Sequence, residues 1–266
     1  MASTSAITSS DVLGRRFEAL KRQGRTALIP YLTAGHPDPR GSLALLRGLE
    51  AAGADVVEVG VPFSDPMADG PVIQASSQAA LAHGMTFGGV LDLVREAGLT
   101  IPVVLFSYLN PIVAAGVDAL TRAAAAGAHG LLITDLPVGA DPVREAVIGA
   151  GPLAFVRLVA PTTPDARMRE IGAHGSGFVY LISRLGVTGA RDDVPADLPE
   201  TVARLRRATT LPICVGFGVS TPVQARRIGA LADGVVVGSA IVRAAGRHPD
   251  EALRLVADLR AALDAG

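Results

Sequence analysis

The sequence predicts an α/β chain folded as a single closed (β/α)8 barrel, and three observations carry that expectation. Its 266 residues suit one such barrel. Eight short runs, most of them rich in Val, Ile and Leu without strict apolar–polar alternation, recur about every 25 to 35 residues; such runs mark parallel strands buried on both faces. A helix-like stretch follows each run, with no break in composition along the chain. The competing arrangement, an open doubly wound sheet, needs its strands divided around a switch point, and nothing in the spacing marks one.

Taken in order, residues 1–10 are rich in Ser and Thr and lack the charged and apolar regions of a secretory signal. They read as a disordered tail, with the barrel domain occupying 11–266. Residues 11–24 form an extra amphipathic helix with Val12, Leu13, Phe17 and Leu20 on one face. Strands are expected at 27–33, 56–60, 103–107, 130–134, 153–158, 177–182, 213–216 and 234–238. Five of the intervening helices carry a start signal of one type, a capping side chain directly before proline: Asp38-Pro39, Asn110-Pro111, Asp141-Pro142, Thr163-Pro164 and Thr221-Pro222. Gly53, Gly127 and Gly229 mark helix ends shortly before new strands.

Composition narrows the function. The net charge of −1 gives no electrostatic reason to expect nucleic acid or an anionic membrane. No apolar run approaches the roughly 20 residues that span a bilayer, so a soluble, cytoplasmic protein is expected. A domain of this size buries roughly three quarters of its unfolded surface and needs no disulfide or metal staple. The one cysteine, Cys214, lies mid-strand and reads as a small buried hydrophobe. The histidines at 36, 83, 129, 174 and 248 do not approach metal-ligand spacing, so no metal is assigned.

Chemistry is expected at the C-terminal ends of the strands and in the loops that follow. The second strand carries Glu58 and opens into a loop with Asp65 and Asp69. A glutamate on so apolar a strand must be neutralised, paired or wetted. Either the loop's acids and Glu58 serve proton transfer, or this is a surface loop with solvated acids and one ion-paired glutamate. Other strand ends supply Tyr108, Asn110, Asp135 and Tyr180. The later ends are glycine-rich: Thr188-Gly189, the stretch from Gly216 to Gly218, and Gly238-Ser239. Bare backbone there suits a phosphate, although tight strand-to-helix turns need glycine as well.

The motifs Y-L-T-A-G-H-P (31–37), V-E-V-G-V-P-F-S-D-P-M-A-D-G-P (57–71), Y-L-N-P-I (108–112), D-L-P (135–137), S-R-L-G-V-T-G (183–189), G-F-G-V-S (216–220) and G-S-A-I-V (238–242) span nearly the whole chain. Together they closely resemble the α subunits of tryptophan synthase. The resemblance implies retro-aldol cleavage of indole-3-glycerol phosphate to indole and glyceraldehyde 3-phosphate. It implies no cofactor in this chain, and a β-subunit partner, in an α2β2 assembly, that carries pyridoxal phosphate and receives the indole. By the same resemblance Glu58 is the general acid/base and Asp69 the second catalytic carboxylate. Phe63, Tyr108, Tyr180 and Thr188 are substrate-side residues, and Gly189, Gly218, Gly238 and Ser239 bind phosphate. Met67 stands where leucine is commoner, and Val138-Gly139-Ala140 lacks the acids often found near the partner surface. Two other readings stay open at this level: a non-catalytic subunit that activates its partner, and a different phosphate-binding barrel such as a sugar-phosphate isomerase.

Overall fold

The computed structural model describes residues 9–182, 194–216 and 218–266. Eight parallel strands close into a barrel in sequence order. They are β1 (Ala27–Thr33), β2 (Val57–Gly60), β3 (Val103–Ser107), β4 (Gly130–Ile133), β5 (Ala154–Val159), β6 (Val179–Ile182), β7 (Ile213–Gly216) and β8 (Gly234–Val237). β6 starts later than the sequence suggests because Gly177 turns the chain at φ 79° and the Phe178 amide bonds back to the Ser176 carbonyl.

The extra helix is present as α1 (Ser9–Arg22) and begins inside the segment expected to be a tail; residues 1–8 lie outside the described residues. Its Leu13, Phe17 and Leu20 are buried, while Val12 is half-buried at the edge of the same face. Phe17 packs on Phe178 with ring centroids 5.6 Å apart. A Cβ built on Gly130, the first residue of β4, would meet Leu13 at 2.8 Å. The helix therefore lies under the N-terminal strand ends and plugs that end of the barrel, where a fully buried leucine or phenylalanine contributes about 1.5–3 kcal/mol.

An outer ring is formed by α2 (Pro39–Leu49), α4 (Phe87–Ala97), α6 (Ala119–Ala125), α7 (Pro142–Gly149), α8 (Asp165–Ala173), α9 (Leu198–Ala208), α10 (Pro222–Gly229) and α12 (Pro249–Asp264). Three further helices sit at the C-terminal strand ends: α3 (Pro71–Ala82), α5 (Leu109–Ala114) and α11 (Ser239–Ala245). Apolar side chains between strands and ring form the larger core cluster.

Asp38, Asp141 and Thr221 cap their helices through the amides of Gly41, Arg144 and Gln224. Two start signals work differently. Asn110-Pro111 falls inside α5, because Asp135 Oδ1 accepts from the Leu109 amide at 2.7 Å and so caps that helix from the next loop. The Thr163 hydroxyl instead accepts from the Ala160 amide, and α8 begins after Pro164. Gly53 and Gly127 both take φ 102° after their helices. Gly229 is still helical, and its missing side chain makes room for Leu263, which a Cβ would meet at 2.5 Å.

At the plugged end a buried aspartate joins three parts of the chain. Asp55 Oδ1 lies 2.6 Å from Arg16 and 3.2 Å from Arg25, while Oδ2 lies 3.0 Å from Arg260 and accepts from the Leu28 amide. A second buried pair, Arg157–Glu145 at 2.9 Å, ties β5 to α7, with the guanidinium over the Phe155 ring and bonded to the Leu136 carbonyl. Among the described residues, no helix is long and apolar enough to cross a membrane.

Candidate active site

Barrel geometry decides which strand residues face inward. Register pairs Tyr31 with Glu58 and Glu58 with Val104, so these side chains share the interior at the level where β2 nears its end. Two residues further on, Gly60 leaves space that the Tyr31 hydroxyl occupies; a Cβ there would lie 2.1 Å from that oxygen. Gly216 does the same for Tyr180 across β6 and β7, at 2.2 Å. The two tyrosines thus extend under the mouth because the neighbouring strand ends are bare.

Above them opens a cavity of about 790 Å³, continuous with solvent. One side presents Glu58 and Asp69, the walls are Tyr31, Ile73, Phe106, Tyr180 and Val236, and the far side is formed by Gly218, Ser220, Gly238, Ser239 and Arg243. The edge of the Tyr31 ring meets Phe106 at 5.3 Å, which fixes both rings.

Glu58 is 1% exposed, and its Oε1 is buried with no hydrogen-bond partner among the described residues. Burial alone pushes its carboxyl up to about 8, so it holds its proton at neutral pH. Asp69 is half-buried. Burial raises it to about 6, and a hydrogen bond from the Tyr108 hydroxyl works in the opposite direction. That hydroxyl also accepts from the Ala68 amide at 2.9 Å, holding the loop before α3. The site therefore places a neutral carboxyl and a largely ionised one around a mostly apolar cavity, an arrangement suited to giving a proton at one atom while holding charge at another.

Of the residues singled out in the sequence, Glu58, Asp69, Tyr180, Gly218, Gly238 and Ser239 line this cavity together. Phe63 and Tyr108 do not; their rings pack on each other at 5.1 Å, and Tyr108 reaches the site only through Asp69. Asp65 is exposed and bonds to the Ser64 hydroxyl, away from the cavity. Thr188 and Gly189 lie outside the described residues. Gly218 takes φ 87°, which favours glycine in its own right. Gly238 differs, since its φ is −111° and a Cβ would make only ordinary contact with Tyr31 at 3.6 Å. Packing alone leaves room for a side chain there, and the bare position keeps the cavity wall open.

Tyr31, Ile73, Phe106 and Arg243 were not legible as site residues. Arg243 had a usable signal: four residues after Ser239 it lies on the same helix face, and its side chain leans back toward the mouth. Among the described residues no three His, Cys, Asp or Glu converge as a metal site.

Fold and site together define a barrel enzyme with a cavity apolar along its walls and polar at its far side. The chain matches the family described as "Tryptophan synthase alpha chain" over residues 17–265. It is 50% identical over 232 residues to the tryptophan synthase alpha chain of Phenylobacterium zucineum (strain HLK1), covering 85% of this chain and 83% of that one. Identity to the alpha chain of Caulobacter sp. (strain K31) is 47% over 239 residues, covering 88% and 86%. Among solved structures, tryptophan synthase of Mycobacterium tuberculosis superposes with a TM-score of 0.88 at 38% identity, over 96% of this chain and 98% of that chain. The Legionella pneumophila str. Paris alpha subunit gives 0.87 at 35%, over 98% and 100%. The chain belongs to the tryptophan synthase alpha chain family. Its activity is that of a carbon–carbon lyase acting on indole-3-glycerol phosphate.

Proposed function

We propose that Glu58 and Asp69 divide the proton chemistry of this cleavage. The observation that carries the reading is the buried, unpartnered Glu58 oxygen at the wall of an apolar cavity. Retro-aldol cleavage adds a proton to C3 of the indole, removes one from the glycerol hydroxyl next to the scissile bond, and breaks the carbon–carbon bond between them. Glu58, protonated at neutral pH, delivers the first proton; the carboxylate so formed takes the second, and the electron pair of the broken bond restores the aromatic ring. Asp69, ionised, accepts the indole N–H and stabilises the positive charge that develops on the protonated ring. Positioned acid–base help of this kind is typically worth about 10²–10⁴-fold.

Phe106, Ile73 and Tyr180 hold the planar indole, and the far side takes the phosphate. Gly218, Gly238 and Ser239 present backbone there, and the family resemblance adds Gly189 to them and assigns Thr188 to the substrate side. Anchoring the phosphate lets its binding energy orient the reacting carbon. Phe63 and Tyr108 act from behind Asp69.

The proposal extends to the assembly: a cytoplasmic α2β2 complex in which indole passes to a β subunit that holds pyridoxal phosphate. What supports it is the family, together with a neutral product that leaves from the barrel mouth. The test is indole release from indole-3-glycerol phosphate, by the chain alone and during titration with a tryptophan synthase β subunit. Slow release that rises on titration is expected. Release unchanged by any β subunit would sink the partnership, and none in either condition would sink the assigned roles.

A further inference from the structure

We propose that Arg243 is a specificity-determining residue for the phosphate end of the substrate. The inference rests on the reading above, and it adds a side-chain charge to a cradle otherwise made of backbone and hydroxyls. Among the described residues, Arg243 is the one cationic side chain in the cavity wall, on the same side as Gly238 and Ser239. It ion-pairs with none of the described residues, whereas the neighbouring Arg247 is held by Glu251 at 2.6 Å. A dianion beside backbone amides still wants a full counter-charge, and a guanidinium presents several donors in a fixed fork.

A second observation points the same way. Arg243, Ser220 and Ala240 are shared between the reaction cavity and an outer groove lined by Arg247, Arg254, Glu251 and Asp258. Arg254, like Arg243, has no ion-pair partner among the described residues, although Asp258 shares the groove. Arg243 therefore stands where the groove opens into the cavity, with its charge available to an incoming anion.

The test compares the wild-type chain with Arg243→Gln and Arg243→Lys, using glycerol 3-phosphate and indole as separate probes in calorimetry. Expected for Arg243→Gln is an about tenfold weaker affinity for glycerol 3-phosphate with indole binding unchanged, the size of one lost charge-assisted contact. The lysine variant recovers most of that loss, because the charge returns without the fork. In turnover, kcat/KM for indole-3-glycerol phosphate falls by about the factor lost in glycerol 3-phosphate affinity, and the lysine variant restores most of it. The variant's affinity also depends less steeply on salt. Equal glycerol 3-phosphate affinity in wild type and Arg243→Gln would overturn this assignment and leave the phosphate site standing. Parallel loss of both probes would make Arg243 merely structural and overturn it too. A wild-type chain that binds no glycerol 3-phosphate would overturn the phosphate site together with the assignment.

Discussion

Glu58 governs two different pH dependences. On the proposed roles, activity requires it protonated and Asp69 ionised, so kcat/KM should rise as pH passes about 6 and fall as pH passes about 8. Glu58→Gln should keep ligand binding near wild type while turnover falls by about 10²-fold or more; undiminished turnover would remove Glu58 from the chemistry. Stability depends on the same proton. Its carboxyl is raised from 4.5 to about 8 on folding, so the folded chain binds the extra proton. Its contribution is fully present below the unfolded value and is lost as pH rises through the folded one. Glu58→Gln abolishes that loss, and its melting temperature relative to wild type should be higher at pH 8.5 than at pH 5. Thermal scans at both pH values decide it, and an offset independent of pH would contradict the buried-acid account.

The strand ends show how one missing side chain positions another. Gly60 and Gly216 are bare because the hydroxyls of Tyr31 and Tyr180 fill the space. Gly60→Ala should displace Tyr31, cost about 1–3 kcal/mol by overpacking, and lower turnover by reshaping the cavity wall. Gly14, inside α1, is the contrast, since a Cβ there meets nothing within 4 Å. Gly14→Ala should stabilise by about 0.5–1 kcal/mol, and urea titration of both variants checks the pair. Such differences mark the limit of what was legible beforehand. β1, β3 and β7 were readable to the residue, because each apolar run meets a turn or a proline. The inward positions were not, because strands buried on both faces do not alternate, and only barrel register separates Tyr31 and Phe106 from their outward neighbours. The long stretch between β2 and β3 did not read as two helices, although Gly84 at φ 78° and the Thr86 cap divide it into α3 and α4. The carboxylates were readable because a glutamate inside an apolar run is conspicuous; Arg243 hid among the many arginines.

Across the whole molecule, the end of the barrel away from the site is fastened by Asp55. Arg16 belongs to α1, Arg25 to the approach to β1 and Arg260 to α12, so one buried carboxylate joins both ends of the chain to β2. Breaking a buried pair strands its partners without counter-charge, which typically costs about 3–5 kcal/mol. Asp55→Asn should lower the urea midpoint accordingly, with the pH profile of any remaining activity unchanged because Glu58 and Asp69 keep their surroundings. A midpoint within error of wild type would show that the cluster contributes nothing net.

The helix that plugs this end also sets the traffic through the enzyme. With Leu13, Phe17 and Leu20 filling the floor, the doorway lies at the opposite end of the barrel, and on the proposed reaction both fragments leave by the end through which the intact substrate came in. Departure then becomes a queue. The fragment held by its charges is the slower to go, and while it lingers the next substrate waits outside. A companion seated over that doorway would do more than collect indole: by drawing off the neutral fragment, it would turn a dead end into a corridor.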